Sequence, residues 1–112
     1  MLDYKVTQEK AYTLITVKGR MDGMTAPSIE DALKQNMDAD IYRVVMDMTE
    51  VEFMSSAGWW VLIEAQKRAK KQNGELVFVN VNEKIRTSLN LVGMDAYFKL
   101  FDNIPAAAAV FS

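Results

Sequence analysis

Apolar and polar residues alternate at the amino terminus of the chain. Leu2, Tyr4 and Val6 are separated by polar residues, and after a short polar stretch the pattern resumes with Ile15 and Val17. A period of two residues is typical of a β-strand with one buried face. Two such segments on either side of a short polar turn predict an antiparallel hairpin.

The next segment changes to helical periodicity. Ile29, Leu33 and Met37 recur every four residues, which is the spacing of one buried helix face. Thr25 is expected to cap this helix. Pro27 would then lie in the first turn. Backbone amides there have no intrahelical acceptor, so a proline at this position loses no helical hydrogen bond.

A nearly continuous apolar run over residues 42–48 predicts a central strand that is covered on both faces. A short polar bend follows it, and helical periodicity then begins near Ser56 and continues to about Gln72. Asn73 and Gly74 are a typical carboxyl-terminal stop for such a helix.

The remaining elements follow in the same order. Residues 76–79 predict a buried strand, Asn82 is a candidate cap for a third helix that Gly93 closes, residues 97–101 predict a short last strand, and Asn103 precedes a small terminal helix. The chain is therefore predicted to be one α/β domain over residues 1–112. Its mixed sheet opens with a hairpin and is covered by about four helices.

Composition narrows the classes of function. The 112 residues carry a formal net charge of −2 and include neither cysteine nor histidine. Disulfides, Cys-His or Ser-His-Asp catalysis and most zinc sites are therefore excluded, and no basic field indicates nucleic-acid binding. The sequence shows no signal-peptide pattern and no apolar run long enough for a membrane helix, so we expect a cytoplasmic protein without direct membrane insertion.

Ser55 and Ser56 lie where the second helix should begin. A phosphate on Ser56 would lie beside the unpaired first-turn amides and the positive end of the helix dipole. The simpler interpretation is that Ser56 is an ordinary helix cap. A third possibility is that Ser55 caps the helix and leaves Ser56 in its first turn.

A helical projection separates two sides of this helix. The predicted core side consists of Gly58, Val61, Leu62, Ala65 and Ala69. The predicted outer side consists of Ser56, Trp60, Ile63 and Lys67, with Trp59 at the border. An exposed tryptophan and isoleucine beyond the serine would suit a docking surface, although Trp60 and Ile63 could equally pack against a neighbouring helix.

A second loop is expected beside the serines. Asp22, Gly23, Met24 and Thr25 follow the second strand, just as the serines follow the third. If these strands are parallel, both loops lie at the same edge of the sheet, where α/β folds place their sites. Asp22 could then position a kinase or its nucleotide, or it could simply be a turn residue beside Gly23.

Three motifs together resemble one known family. The stretch from Val45 to Gly58, with Ser55-Ser56-Ala57-Gly58 at its end, is similar to the signature of the STAS domain family of anti-sigma factor antagonists. Residues 19–22 resemble the family's Gly-x-Leu-Asp turn, and residues 93–98 resemble its late Gly-Leu-x-x-x-Phe element. The resemblance covers almost the whole chain.

This resemblance implies a binding protein without chemistry or cofactors of its own. It places a regulatory phosphoserine at Ser56, with Ser55 as the alternative. The resemblance implies two partners. One is an anti-sigma factor that is also a serine kinase, and the other is a separate serine phosphatase. The predicted partner-binding residues are Asp22, Gly23, Met24, Thr25, Ser55, Ser56, Ala57, Gly58, Trp59, Trp60, Ile63 and Lys67.

Two competing interpretations remain from the sequence. Asp47, Glu50 and Glu52 could form a magnesium or phosphoacceptor site of the receiver type, although a solvated acidic bend explains them more simply. Within the same fold, the protein could instead be a scaffold module or a subunit that serves a transporter.

Overall fold

The computed structural model describes residues 2–111, which form five strands and four α-helices. The first half comprises β1 (Leu2–Gln8), β2 (Thr13–Met21), α1 (Ala26–Asp38), β3 (Arg43–Met54) and α2 (Ser56–Lys71). The second half comprises β4 (Glu75–Val79), α3 (Glu83–Leu91), β5 (Leu100–Phe101) and α4 (Ile104–Ala108). Short 3-10 turns occupy Asp95–Tyr97 and Ala109–Phe111.

The strands form one mixed sheet in the order β1-β2-β3-β4-β5. β1 pairs with β2 in antiparallel orientation, and the other neighbouring pairs are parallel. The predicted α/β domain, which opens with a hairpin and carries four helices, is therefore confirmed. Each parallel pair is joined through a helix, as crossover connections require.

Two apolar clusters lie on opposite faces of the sheet. The larger one joins the sheet to α1, α2 and α3, and it includes the predicted helix residues Ile29, Leu33 and Met37. The smaller one packs Ala107 of α4 on Val45, Val77 and Val79. The central strand is thus covered on both sides, which explains its nearly continuous apolar sequence.

Two strand predictions need correction. β3 does not end at residue 48 but continues to Met54, because the supposed polar bend still pairs with β2 as far as the Met21 and Met54 positions. The pairing is irregular around Gly19, whose φ of 107° is a conformation that glycine adopts readily. The last strand is shorter than predicted, since Asp95–Tyr97 form a 3-10 turn and only Leu100–Phe101 pair with β4.

Candidate functional site

The start of α2 is fixed by Ser55. Its backbone is extended, its Oγ accepts a hydrogen bond from the Gly58 amide at 3.3 Å, and its own amide donates to the Met21 carbonyl at 2.9 Å. Ser55 is therefore the helix cap, and the interpretation of Ser56 as the cap is wrong. Ser56 is instead the first helical residue, and it is exposed.

Gly58 allows this first turn to lie close to the strand ends. A Cβ atom at this position would lie 3.0 Å from Met21 Cγ, 3.1 Å from Met54 Cε and 3.2 Å from the Met21 carbonyl oxygen. Those distances are shorter than ordinary van der Waals contacts, so a side chain would push the turn away from the sheet. Glycine at this position therefore helps to set the height of the two serines above the sheet.

The loop before α1 lies beside this turn, as predicted, because β2 and β3 are parallel and end together. Asp22 Oδ1 accepts hydrogen bonds from the amides of Met24 at 3.0 Å and Thr25 at 3.1 Å. These two amide hydrogen bonds, with a smaller contribution from the positive charge of Arg20, hold the pKa of Asp22 below its ordinary value. Asp22 thus has the role of a turn residue in this structure.

Thr25 precedes α1 but does not cap it with its side chain. Its Oγ1 donates to the Arg20 carbonyl at 2.8 Å and accepts from the Asp22 amide at 2.9 Å, so the hydroxyl braces the end of β2. The same loop projects Met24 into solvent, where 92% of its side chain is exposed.

The outer side of α2 differs from the helical projection. Trp60 is 54% exposed and Lys67 is also exposed, as predicted. The predicted exposure of Ile63 is wrong, because this side chain is only 2% exposed and belongs to the main core. A projection of one helix shows which residues share a side, but it does not show which sides the rest of the fold covers.

Trp59 is also fully buried, although the projection placed it at the border. Its ring packs near Phe78 and Phe98, with centroid distances of 6.1 and 6.3 Å. Its Nε1 donates to Ser88 Oγ at 3.0 Å, and that hydroxyl lies 3.3 Å from the Met54 carbonyl oxygen. Trp59 therefore ties the first turn of α2 to α3 and does not form part of an outer surface.

A shallow groove of about 480 Å³ runs between the start of α2 and α3. It is lined by Phe53, Met54, Ser55, Ser56, Lys84, Ile85, Thr87, Ser88, Leu91 and Val92. The α3 side of this groove was not among the residues predicted from the sequence. A signal was present, since Lys84, Ser88 and Leu91 follow the i, i+4, i+7 spacing of one helix face.

Two cations lie close to this groove. Lys84 is one of its lining residues, and the Arg20 guanidinium carbon lies 4.4 Å from the centroid of the Phe53 ring, which also lines it. The first amides of α2 lack intrahelical acceptors, as at every helix start, and the helix dipole adds partial positive charge. The groove that Ser56 borders therefore has positive charge on its α3 side and at the start of α2.

The acidic residues of β3 do not form a metal site. Within residues 2–111, no group of three or more carboxylates is arranged to hold a metal ion. Asp47 Oδ1 instead accepts from the Thr49 amide at 3.1 Å. The structure therefore gives the receiver-type interpretation no support.

Comparison with known proteins identifies the family. The model of the STAS domain matches residues 3–107. The chain belongs to the STAS domain family. A candidate anti-sigma factor antagonist of Bordetella bronchiseptica, BtrV, is 28% identical to it over 109 residues, which cover 96% of this chain and 94% of BtrV. The STAS domain described above is thus of the anti-sigma factor antagonist type.

Solved structures share the fold of this STAS domain. The crystal structure of an anti-sigma factor antagonist from Mycobacterium paratuberculosis superimposes with a TM-score of 0.88 at 24% identity and covers 99% of this chain and 94% of its own. The phosphorylated form of SpoIIAA, a Bacillus cell fate determinant, gives a TM-score of 0.74 at 13% identity, with 96% and 99% of the two chains covered. In residues 2–111 we find no helix with the length and apolarity needed to cross a membrane.

Proposed function

We propose that this STAS domain is an anti-sigma factor antagonist whose docking is switched by phosphorylation of Ser56. The observation that carries the proposal is the different use of the two serines. Ser55 Oγ is bound to the Gly58 amide within its own helix, whereas Ser56 is exposed at the edge of the α2–α3 groove. A kinase needs an accessible hydroxyl, and this difference favours Ser56 over Ser55.

The fold should tolerate a phosphate at this position. Phosphorylation adds a charge of about −1.5 to −2. At a helix amino terminus a negative charge is typically stabilising by about 0.3 to 1 kcal/mol. Lys84 and Arg20 supply further positive charge near the groove. We therefore expect phosphorylated Ser56 to leave the stability of the domain almost unchanged.

The affinity for a partner should be far more sensitive to the phosphate than the stability of the domain is. Met24 in the loop before α1, Trp60 on α2 and Leu91 on α3 are exposed apolar side chains, with exposed fractions of 92%, 54% and 82%, and Leu91 lines the same groove as Ser56. Apolar and aromatic side chains of this kind anchor protein interfaces. A poorly compensated charge in such an interface costs several kcal/mol, and a hundredfold loss of affinity requires only about 2.8 kcal/mol.

The revised docking surface consists of the exposed predicted residues and the newly found α3 side of the groove. Met24, Ser56, Ala57, Trp60 and Lys67 are exposed, and Leu91 extends the surface onto α3. Gly58, Trp59 and Ile63 are buried, so we assign them the supporting role of holding the first part of α2 against the sheet and α3.

The proposed partner is an anti-sigma factor that is also an ATP-dependent serine kinase, and a serine phosphatase would restore the free hydroxyl. The names of the relatives support an anti-sigma partner, and the phosphorylated form of SpoIIAA supports the compatibility of this fold with a phosphate. In this scheme the STAS domain catalyses no reaction, requires no cofactor and acts in the cytoplasm, where sigma factors work.

The test combines mass spectrometry with binding measurements. The protein is incubated with candidate anti-sigma kinases and ATP, and the modified residue is identified by fragmentation. Ser56→Ala should bind the kinase but accept no phosphate, and Ser56→Asp should lose at least about a hundredfold in affinity. Ser55→Ala is the matched control, which should still be phosphorylated at Ser56.

A phosphate found only on Ser55 would move the switch by one residue. Undiminished binding by both Ser56→Asp and the phosphorylated protein would contradict the switch itself. Affinity capture from cells separates the antagonist from the transporter-subunit alternative, because the former should recover an ATPase-fold kinase and the latter membrane transport proteins.

Lys84 offers a finer test of the electrostatic account. If its ammonium group stabilises the phosphate, Lys84→Gln should lower the stability of the phosphorylated protein more than that of the unmodified protein. The expected difference is below about 1 kcal/mol because the site is exposed. Equal effects on the two forms, measured by urea unfolding, would exclude a role for Lys84 in holding the phosphate.

A further inference from the structure

One edge of the sheet carries an unusually ordered pattern of side chains. All seven residues of β1, Leu2–Gln8, pair with β2, and among the described residues no strand pairs with the other side of β1. The opposite edge strand, β5, has only two residues. β1 is therefore the longer of the two edges at which another strand could pair.

The two faces of β1 have different chemistry. Leu2, Tyr4 and Val6 lie opposite Gly19, Val17 and Ile15 in the β1–β2 register, on the face of the main core. Tyr4 and Val6 nevertheless remain 42% and 40% exposed.

Asp3 and Lys5 lie on the other face, opposite Lys18 and Thr16. Both are exposed, and in residues 2–111 neither forms an ion pair within 4 Å. The unpaired edge therefore presents one acidic and one basic side chain, with an aromatic residue between them.

The segment from Leu2 to Val6 is self-complementary. When it is placed antiparallel to a second copy with Tyr4 on the two-fold axis, Asp3 of each copy faces Lys5 of the other. Leu2 then faces Val6, and Tyr4 faces Tyr4. We propose that the protein forms a two-fold dimer through this antiparallel β1–β1 pairing. Opposite charges and aromatic pairs placed directly across two antiparallel strands are stabilising.

The register is permitted by the backbone as well as by the side chains. In an antiparallel pair, alternate residues direct their N–H and C=O groups toward the neighbouring strand. The residues that face each other in this register are either both odd-numbered or both even-numbered. The outward groups of the two copies therefore match whichever set points away from β2.

The dimer would join two five-stranded sheets into one continuous sheet. Because the copies run antiparallel across the axis, the ends of β2 and β3 that carry the Ser56 site point in opposite directions. Both candidate sites would remain accessible, and one dimer could engage two partners. This arrangement is independent of the proposed function of Ser56.

A charged edge can also protect a monomer from association, and lysine is common in that role. Protection requires only that charges resist a neighbouring strand. The acid at Asp3 also lies opposite Lys18 within the hairpin, but only pairing between two copies uses the symmetric placement of Asp3 and Lys5 on either side of Tyr4, because it turns these charges into an attraction. The two interpretations predict opposite effects of charge reversal.

Sedimentation velocity over the micromolar range tests the proposal. The unmodified protein should dimerise, and Lys5→Glu alone or Asp3→Lys alone should raise the dimer dissociation constant by at least about tenfold, because each places like charges opposite one another. The double variant Asp3→Lys/Lys5→Glu should recover dimerisation. A mixture of the two single variants should form a heterodimer.

A monomeric unmodified protein across this range would overturn the proposal. A double variant as weak as the single variants would overturn the register. Circular dichroism of each variant excludes loss of folding as the cause.

Cross-linking provides an independent measure of the register because the chain contains no native cysteine. Tyr4→Cys should form a disulfide-linked dimer under mild oxidation, since the two sulfurs meet at the axis. Val6→Cys alone should not, because its partner in the other copy is Leu2, but a mixture with Leu2→Cys should. Efficient self-linking of Val6→Cys, without linking of Tyr4→Cys, would exclude the Tyr4-centred dimer.

Discussion

The starts of α1 and α2 are neighbours in space but use their hydroxyl residues in opposite ways. Both follow parallel strands that end side by side, and both have a hydroxyl residue directly before the helix. At α1, Thr25 turns away from its helix and braces the end of β2. At α2, Ser55 turns toward its helix and caps it.

This difference determines which of the two turns has a hydroxyl that is not needed to hold the turn together. The polar groups of the α1 turn are engaged within the loop, where Asp22 and Thr25 bind one another's backbone. The α2 turn needs only Ser55 for its cap, so the hydroxyl of Ser56 has no part in holding the helix start. A residue that does not support the fold can be modified without disturbing it.

The largest difference between the two turns should come from their glycines, Gly58 in the α2 turn and Gly23 in the α1 turn. Gly58→Val would press a branched side chain against Met21 and Met54, and we expect a loss of about 2 to 3 kcal/mol in the free energy of unfolding. Gly23→Val is the matched control, because a Cβ at Gly23 meets nothing within 4 Å, and its effect should stay within about 0.5 kcal/mol. Urea unfolding measures both, and equal losses would show that the α2 turn is no more tightly packed than the α1 turn.

The next largest difference should be between the effects of the two serines on stability. Ser55→Ala removes the cap of α2 and should cost about 1 kcal/mol. Ser56→Ala removes an exposed hydroxyl and should change stability by less than about 0.5 kcal/mol. Thermal or urea unfolding of both variants checks this order, and the reverse order would assign the cap to Ser56.

The order of the strands and helices could be predicted from the sequence, and so could the proximity of the turns before α1 and α2 once β2 and β3 were taken as parallel. The periodicity around Ile29, Leu33 and Met37 reports burial directly, and the parallel arrangement of β2 and β3 follows from the connecting helix. A local signal also located the cap at Asn82, whose side chain accepts a hydrogen bond from the Ile85 amide. The terminal helix was predicted after Asn103, and the structure shows that Asn103 caps it by accepting from the Ala106 amide.

Three features could not be predicted from the sequence: which side chains of α2 are buried, which serine caps α2, and where β3 ends. The first of these depends on contacts between distant parts of the chain. Trp59 is buried because residues from the second half of the chain, Phe78, Ser88 and Phe98, lie against it, and Ile63 is buried in the same core cluster. The choice between Ser55 and Ser56 depended on one hydrogen bond whose geometry no spacing specifies. The extension of β3 was missed because a polar strand end and a polar bend have the same composition.

The smallest predicted effect concerns Asp22 and depends on pH. Its pKa is lowered in the folded protein by the amides of Met24 and Thr25, so its carboxylate contributes stability above the pKa of the unfolded chain. That contribution is lost as the pH falls through the folded pKa. Asp22→Asn should therefore be less stable than the unmodified protein near neutral pH, and the difference should shrink in acid.

Urea unfolding at a series of pH values measures this difference, with Asp31→Asn as the control for removing one exposed carboxylate that has no hydrogen-bond partner within residues 2–111. A difference for Asp22→Asn that is absent at neutral pH, or that grows in acid, would show that the carboxylate does not hold the α1 turn. Asp22 would then be free for a partner, and the contrast between a braced α1 turn and an available α2 turn would disappear.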